Sequence, residues 1–385
     1  MTVTQIQLAK VLEAFDENFE RRGELGASVS IWQHGNELLT HSAGWCEREH
    51  LQPWTDHTLV PFWSATKGLA AACTLHALHG AGIPLDAKIA SIWPEFAAAG
   101  KAEIDFAQVL SHQAGLAALD LEVDIFDHAA VVRALEQQEP HWEPGSAHGY
   151  HPRTFGFLLD EIVRRSTASE SLGDYWREQF ADPLGLDIWI GLPDSHDLPI
   201  ARLYSGRMQN TPGEEPFYRA FGDPSSLTRR AFASPVGIAA VTGMNAPEAQ
   251  RAGLPAMGGV GNAASLGKFY AMLAAGGKWR GETYLAPEIL TQAETTLSSD
   301  LDKTFHMQTA FGAGFMKDPV DPFGEKRRQH FGPEPRAFGH PGAGGSHAFA
   351  DPENGIAFAY TMNQMAYGVL PNERALGMVR ALYDL

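Results

Sequence analysis

Ser64 and Lys67, three residues apart in "PFWSATKGLAAACTLHAL" (61–78), are the pair in this chain best suited to covalent chemistry. Positions i and i+3 of a helix share a face, so the lysine amine comes within reach of the serine hydroxyl. Leu69, Ala70, Ala71, Ala72, Cys73 and Leu75 cover nearly the whole circumference that follows, and a helix apolar all round is a buried one. Burial disfavours an ammonium and lowers its pKa toward a range where the amine accepts a proton. The two side chains then form a nucleophile and its general base, at a helix N-terminus whose positive end favours an alkoxide. With Ser64 as the N-cap and Gly80 and Gly82 as the stop, the pattern predicts a helix over 64–79.

Ser-x-x-Lys is a weak pattern alone, equally consistent with an N-cap serine followed by a snorkelling lysine. The chain carries its own control, "SLGK" at Ser265 to Lys268. There Leu266, Phe269, Tyr270 and Leu273 mark one helical face, and at about 100° per residue Lys268 falls on the other, in water, charged and inert.

The elements around the pair are legible as follows. Ile6, Val11, Leu12, Phe15 and Phe19 recur at helical spacing with acids between them, an amphipathic helix rather than a signal peptide or a membrane span. "GASVSIWQHGNELLTHSAGW" reads as a hairpin turning at Gly35 and Asn36, and "SHAFADPENGIAFAYTMN" (346–363) as two more strands. A last helix shows Leu376, Val379, Leu382 and Tyr383 on one face, and "FGFLLDEIVRRS" a stripe of Phe155, Leu158, Leu159, Ile162 and Val163. Strands at both ends and helices between them predict an α+β fold: an antiparallel sheet built from both chain ends and flanked by helices, with a mainly helical insert. The expected boundaries are 1–80 with 255–385 for the sandwich domain and 81–254 for the insert.

Composition narrows the partners. A formal net charge of −17, with no local cluster of Lys and Arg, argues against nucleic acid and anionic membranes and for a small-molecule substrate. The two cysteines, Cys46 and Cys73, cannot build a disulfide framework and sit among apolar neighbours, so a cytoplasmic protein is expected. No Gly-x-Ser-x-Gly elbow is present. His141, His148 and His151 lie close in sequence and His340 lies near His347, but none sits in a His-Glu-x-x-His or Cys/His ligand pattern, so no metal or other cofactor is expected and metal hydrolysis is a minor alternative. "GAGGS" (342–346) leads into a strand without a following Lys-Ser/Thr and reads as a turn, not a phosphate cradle.

Three segments in order change the weight of the first motif: the Ser64–Lys67 helix, Tyr150 in the glycine-bearing loop of "HWEPGSAHGYHPRTFGF", and His340-Pro341-Gly342 in "RAFGHPGAGGSHAFAD". Together with "LSHQAGL" (110–116) and "IPLDAKIASIWPEF", they resemble the serine β-lactamase and penicillin-binding-protein superfamily over nearly the full chain, specifically class C β-lactamases and family VIII carboxylesterases. The resemblance implies that Ser64 attacks an acyl carbonyl, Lys67 takes its proton, and Tyr150 relays a proton to the leaving group. It implies an oxyanion hole from the backbone N–H groups of Ser64 and Ala343, and a substrate wall that includes His340 and Gly342.

Two departures bear on substrate. The usual Lys-Thr-Gly cation is replaced by His340, largely neutral near pH 7, so anionic substrates lose a clamp. The usual Tyr-x-Asn is Tyr150-His151-Pro152, which lacks the side-chain amide that would hold an amide substrate. Both favour small carboxylic esters hydrolysed through an acyl-enzyme, with Trp63 and Trp142 as walls of an apolar pocket and Phe62 as core. β-Lactamase, D-alanyl peptidase and acyltransferase activity on the same fold, and a non-catalytic penicillin-recognising protein, are the alternatives.

Overall fold

The computed structural model describes residues 1–206 and 213–385. Helix α1 (Gln5–Arg21) is opened by a Thr4–Gln7 capping box. Strands β1 (Gly26–Gln33) and β2 (Asn36–Gly44) follow, with Gln33 opposite Asn36. The hairpin therefore turns at His34 and Gly35, both with φ > 0, one residue earlier than the sequence suggested. Next come α2 (Thr66–Gly80), α3 (Thr154–Ser166) and α4 (Ala263–Ala274). The chain then adds β3 (Ser298–Leu301), β4 (Gln308–Phe311), β5 (Met316–Lys317), β6 (Phe338–Pro341), β7 (His347–Asp351) and β8 (Ile356–Met362), and ends in α5 (Glu373–Tyr383).

These strands make one eight-stranded antiparallel sheet in the order β2-β1-β8-β7-β6-β5-β4-β3. Both chain ends meet inside it, where β1 lies on β8, so the fold is α+β as the sequence indicated. Every residue of β1, β7 and β8 is buried, because helices cover both faces: α1 packs on α5, and α4 packs on β1, β7 and β8. A second, three-stranded sheet joins Val60–Pro61, Gly259–Gly261 and Ile188–Ile190. Apart from Ile188–Ile190, the described chain from 81 to 254 forms helices, turns and loops around α2 and α3.

Helix α2 is packed on every side, as its composition demanded: Leu69, Ala70, Ala71, Ala72 and Cys73 have no exposed surface. Gly68 admits the Tyr270 hydroxyl so closely that a Cβ there would lie 2.2 Å from it, and Gly314 does the same for Ala71. The expected cap is corrected. The helix begins at Thr66, Ala65 occupies the N-cap position with no side-chain bond, and Ser64 lies in the turn before it. The turn uses the Ser64 carbonyl, which accepts the Lys67 N–H at 2.9 Å, and leaves its hydroxyl for other partners. Among the described residues, no helix is long and apolar enough to cross a membrane.

Candidate active site

The Ser64 turn is strained and clamped. Trp63 holds φ = 51°, a left-handed conformation that costs a bulky L-residue on the order of 1–2 kcal/mol. Thr66 holds it there, donating its hydroxyl to the Trp63 carbonyl at 2.5 Å and accepting the Gly259 N–H at 2.8 Å. Ser64 stays partly exposed at the tip of this turn, so its hydroxyl is open to a substrate.

Lys67 is fully buried. Its Nζ donates to the carbonyls of Pro152 and Ala256, each at 2.8 Å, and lies 3.3 Å from Ser64 Oγ. Burial alone drives its pKa well below the usual lysine range. A neutral amine has two N–H bonds and one lone pair, which matches these three neighbours: the N–H groups satisfy the carbonyls and the lone pair faces the Ser64 hydroxyl.

The second Ser-x-x-Lys makes no such pair. Ser265 Oγ accepts the Asp187 N–H at 2.9 Å, while the Lys268 amine donates to the Leu184 carbonyl and lies 5.5 Å from the Trp279 ring centre. Lys268 is half-buried rather than free in water, because the Leu184 carbonyl and the Trp279 ring lie over its amine, and burial lowers its pKa.

Tyr150 is enclosed by rings. Phe305 stacks on it at 4.6 Å between centroids, His112 lies at 5.0 Å, His340 at 5.9 Å and Phe311 at 6.2 Å, with Lys67 Nζ 4.7 Å from its centre. Burial pushes the phenol pKa up, although its hydroxyl hydrogen-bonds the Ser64 side chain, which pulls the other way. Tyr150 therefore stands beside the nucleophile as a protonated phenol. Its backbone is held by Asp302, a fully buried carboxylate that accepts the N–H groups of Tyr150, Thr304 and Phe305 and the Thr309 hydroxyl.

Asp302→Asn places an NH₂ group among those donors. It is expected to lower stability by about 2–3 kcal/mol and to reduce kcat more than it raises KM, because Tyr150 loses its fixed place. Urea unfolding and Michaelis kinetics check this; an Asn variant with unchanged kcat removes Asp302 from the positioning of Tyr150.

His340, on β6, is buried and neutral: burial above all drops its pKa to about 3. Its Nδ1 lies 2.8 Å from the Pro341 carbonyl and so carries the proton, which leaves Nε2 as a buried lone pair with no partner. Gly342 brings the end of β6 against the nucleophile turn, since a Cβ there would sit 2.1 Å from the Phe62 carbonyl. That contact brings the segment leading into Ala343 against the one leading into Ser64. Neither the Ser64 N–H nor the Ala343 N–H makes a backbone hydrogen bond among the described residues. Trp63 is half-exposed beside Ser64. Trp142 packs behind the Tyr150 loop, its indole N–H donating to the Ala147 carbonyl and its ring edge filling the space a Gly149 Cβ would need.

The remaining histidines are held individually. His151 Nε2 accepts the Leu116 N–H, His148 Nε2 lies 2.8 Å from the Thr309 hydroxyl, and His347 Nε2 lies 2.7 Å from the His330 carbonyl. Among the described residues no three His, Cys, Asp or Glu side chains converge as a metal site. Cys46 and Cys73 are buried and unpaired. Two residues of the centre escaped the sequence reading. His112, whose Nδ1 accepts the His151 N–H, was present in the 110–116 segment with no role attached, and Asp302 carries no local signal at all.

The beta-lactamase family model matches residues 11–382. The chain is 30% identical over 377 residues to "Esterase/beta-lactamase LipL" of Mycobacterium tuberculosis, covering 96% of this chain and 84% of that protein. Among solved structures, a family VIII carboxylesterase superposes with a TM-score of 0.87 at 31% identity, covering 100% of this chain and 99% of the other. A penicillin-binding-protein homologue from Caulobacter crescentus gives 0.84 at 34% identity, covering 99% and 98%.

Proposed function

The chain belongs to the beta-lactamase family, and from that premise we propose that it is a serine hydrolase of small carboxylic esters acting through an acyl-enzyme on Ser64. The observation that carries the reading is the buried Lys67 amine, its two N–H groups bound to carbonyls and its lone pair toward Ser64 Oγ.

In this reading Lys67 takes the Ser64 proton as Oγ bonds to the ester carbonyl carbon, and the resulting oxyanion is held by the N–H groups of Ser64 and Ala343. Tyr150, a neutral acid, gives its proton to the departing alkoxide and is reprotonated from the Lys67 ammonium. Water then adds to the acyl-enzyme with the same groups acting in reverse, releasing the acid and restoring the Ser64 hydroxyl. Trp63 supplies an apolar wall for the acyl group, His340 and Gly342 line the opposite side, and Trp142 acts at one remove by shaping the Tyr150 loop.

Esters are favoured over lactams and peptides by two features. No cation stands at position 340, and position 152 offers Lys67 a carbonyl instead of offering the substrate an amide. The relatives named as esterases support the same choice.

4-Nitrophenyl butyrate should be turned over, and a fluorophosphonate should add one covalent label, located on Ser64 by peptide mass mapping. No turnover and no label would leave the fold as a non-catalytic binding protein. Nitrocefin belongs in the same panel because the mycobacterial relative's name pairs esterase with β-lactamase.

A further inference from the structure

A cavity of about 1050 Å³ opens beside the cleft floor. One wall is Met365 and Gly368: Met365 packs on Gly344, and the Gly368 carbonyl accepts the Gly344 N–H at 3.1 Å, one residue beyond Ala343. The other wall is Met307 and Gln308, just after the Phe305 ring that stacks on Tyr150. The cavity thus borders segments that adjoin the proposed centre and has the size of a small-molecule site.

Its charge runs against that of the protein. Acids outnumber bases 46 to 29 in the chain, yet among the described residues five arginines and two glutamates line this cavity. Four of the arginines are already engaged. Arg21 and Arg22 pair with Glu17, Arg48 with the Gln364 amide and the Tyr204 ring, and Arg374 with Glu24 and two carbonyls.

Arg328 is different. The acid nearest to it is Asp318, whose Oδ1 pairs loosely with its Nε at 3.6 Å, beyond hydrogen-bond reach, while the same carboxylate accepts from Lys326 and from the N–H groups of His330 and Phe331. Among the described residues its Nε and Nη2 have no hydrogen-bond partner, and neither has Nδ1 of the neighbouring His330. Glu214 on the same wall is held by the Tyr218 hydroxyl. A guanidinium with unused donors in a pocket of net positive lining fits a planar, bidentate anion, and a carboxylate matches its fork.

We infer that this cavity is a subsite for a carboxylate carried by the substrate, with Arg328 as its anchor, so that the preferred esters are monoanionic. This rests on the esterase reading above and names its substrate class. The carboxylate clamp lost at position 340 is then displaced to the far side of Ala343.

The carboxylate can belong to either half of the ester, and two probes separate the cases: 4-nitrophenyl hemiglutarate carries it on the acyl side, 4-acetoxybenzoate on the alcohol side. Each is measured against its neutral counterpart, 4-nitrophenyl butyrate or phenyl acetate, in wild type and in Arg328→Gln. The expected result is that the anionic-to-neutral ratio of kcat/KM falls at least tenfold in Arg328→Gln for one of the two pairs, mainly through KM, and is partly recovered in Arg328→Lys. Ratios within twofold of wild type for both pairs overturn the subsite while the neutral esters still report an esterase. Absence of turnover on the neutral esters overturns the esterase reading itself. A thermal unfolding scan of each variant guards against a folding defect, and the Lys variant keeps the question answerable if Gln fails to fold.

Discussion

Ser64→Ala is expected to cut kcat/KM for 4-nitrophenyl butyrate by about 10⁴-fold or more, and to abolish labelling by a fluorophosphonate. The size follows from the role. Without Oγ no acyl-enzyme forms, and the remaining oxyanion donors can only assist direct attack by water. Oγ has few other duties: its contacts are the Lys67 amine and the Tyr150 hydroxyl, while the turn is held by the Thr66 side chain and by backbone bonds. The thermal midpoint should therefore stay near that of the wild type. An alanine variant that is stable and retains more than a tenth of the activity removes Ser64 as the nucleophile.

Lys67→Met is the second large effect, a loss of about 10³-fold in kcat/KM, within the range a general base contributes. The amine must be neutral to accept the Ser64 proton, so activity should decline on the acid side as pH falls through the lowered lysine pKa. The Met variant's residual activity should lack that limb.

Stability carries the same signature with a definite sign. Burial depresses the folded pKa below the unfolded value of about 10.4, so between the two values the unfolded chain binds the extra proton. Wild-type stability should accordingly gain up to about 1.4 kcal/mol per pH unit from Lys67 across that window, and the gain ends above the unfolded pKa. Two other partly desolvated amines, Lys101 and Lys317, both near 8, add slopes common to both proteins. The difference in urea-unfolding free energy between wild type and Lys67→Met, followed from roughly pH 7 to 10, isolates Lys67. Parallel curves would mean that its amine is not desolvated in the folded state.

Much of this arrangement was legible in the residues. The unbroken apolar circumference after Ser64 foretold a buried lysine, because a helix without a polar face has no side to turn to water. Alternating β-rich runs at both chain ends foretold the shared antiparallel sheet, and the His-Pro-Gly triplet foretold a strand end beside the nucleophile. Local rules failed where the deciding partner was distant. Ser64 matched the residue preference for a cap, but Thr66 and Gly259 hold the turn and move the helix start by two residues. Lys268 matched a solvated face, but the Leu184 carbonyl and the Trp279 ring cover it. Strands β3 to β5 run only two to four residues, too short for a period to register.

The chain's own order of residues thus determined which groups could react: a serine and an amine one helical turn apart, on a segment with no alternative to burial. Tertiary structure decided how those groups are held. The Asp302 carboxylate that fixes Tyr150 lies 152 residues away in sequence, and Arg328 keeps unused donors among the described residues although the Asp318 carboxylate, shared with Lys326 and two backbone N–H groups, lies 3.6 Å from its Nε. Periodicity and spacing report which side of an element faces inward. Hydrogen-bond supply and demand in a buried space is settled only when distant segments meet, since each donor satisfied by one partner is withdrawn from every other.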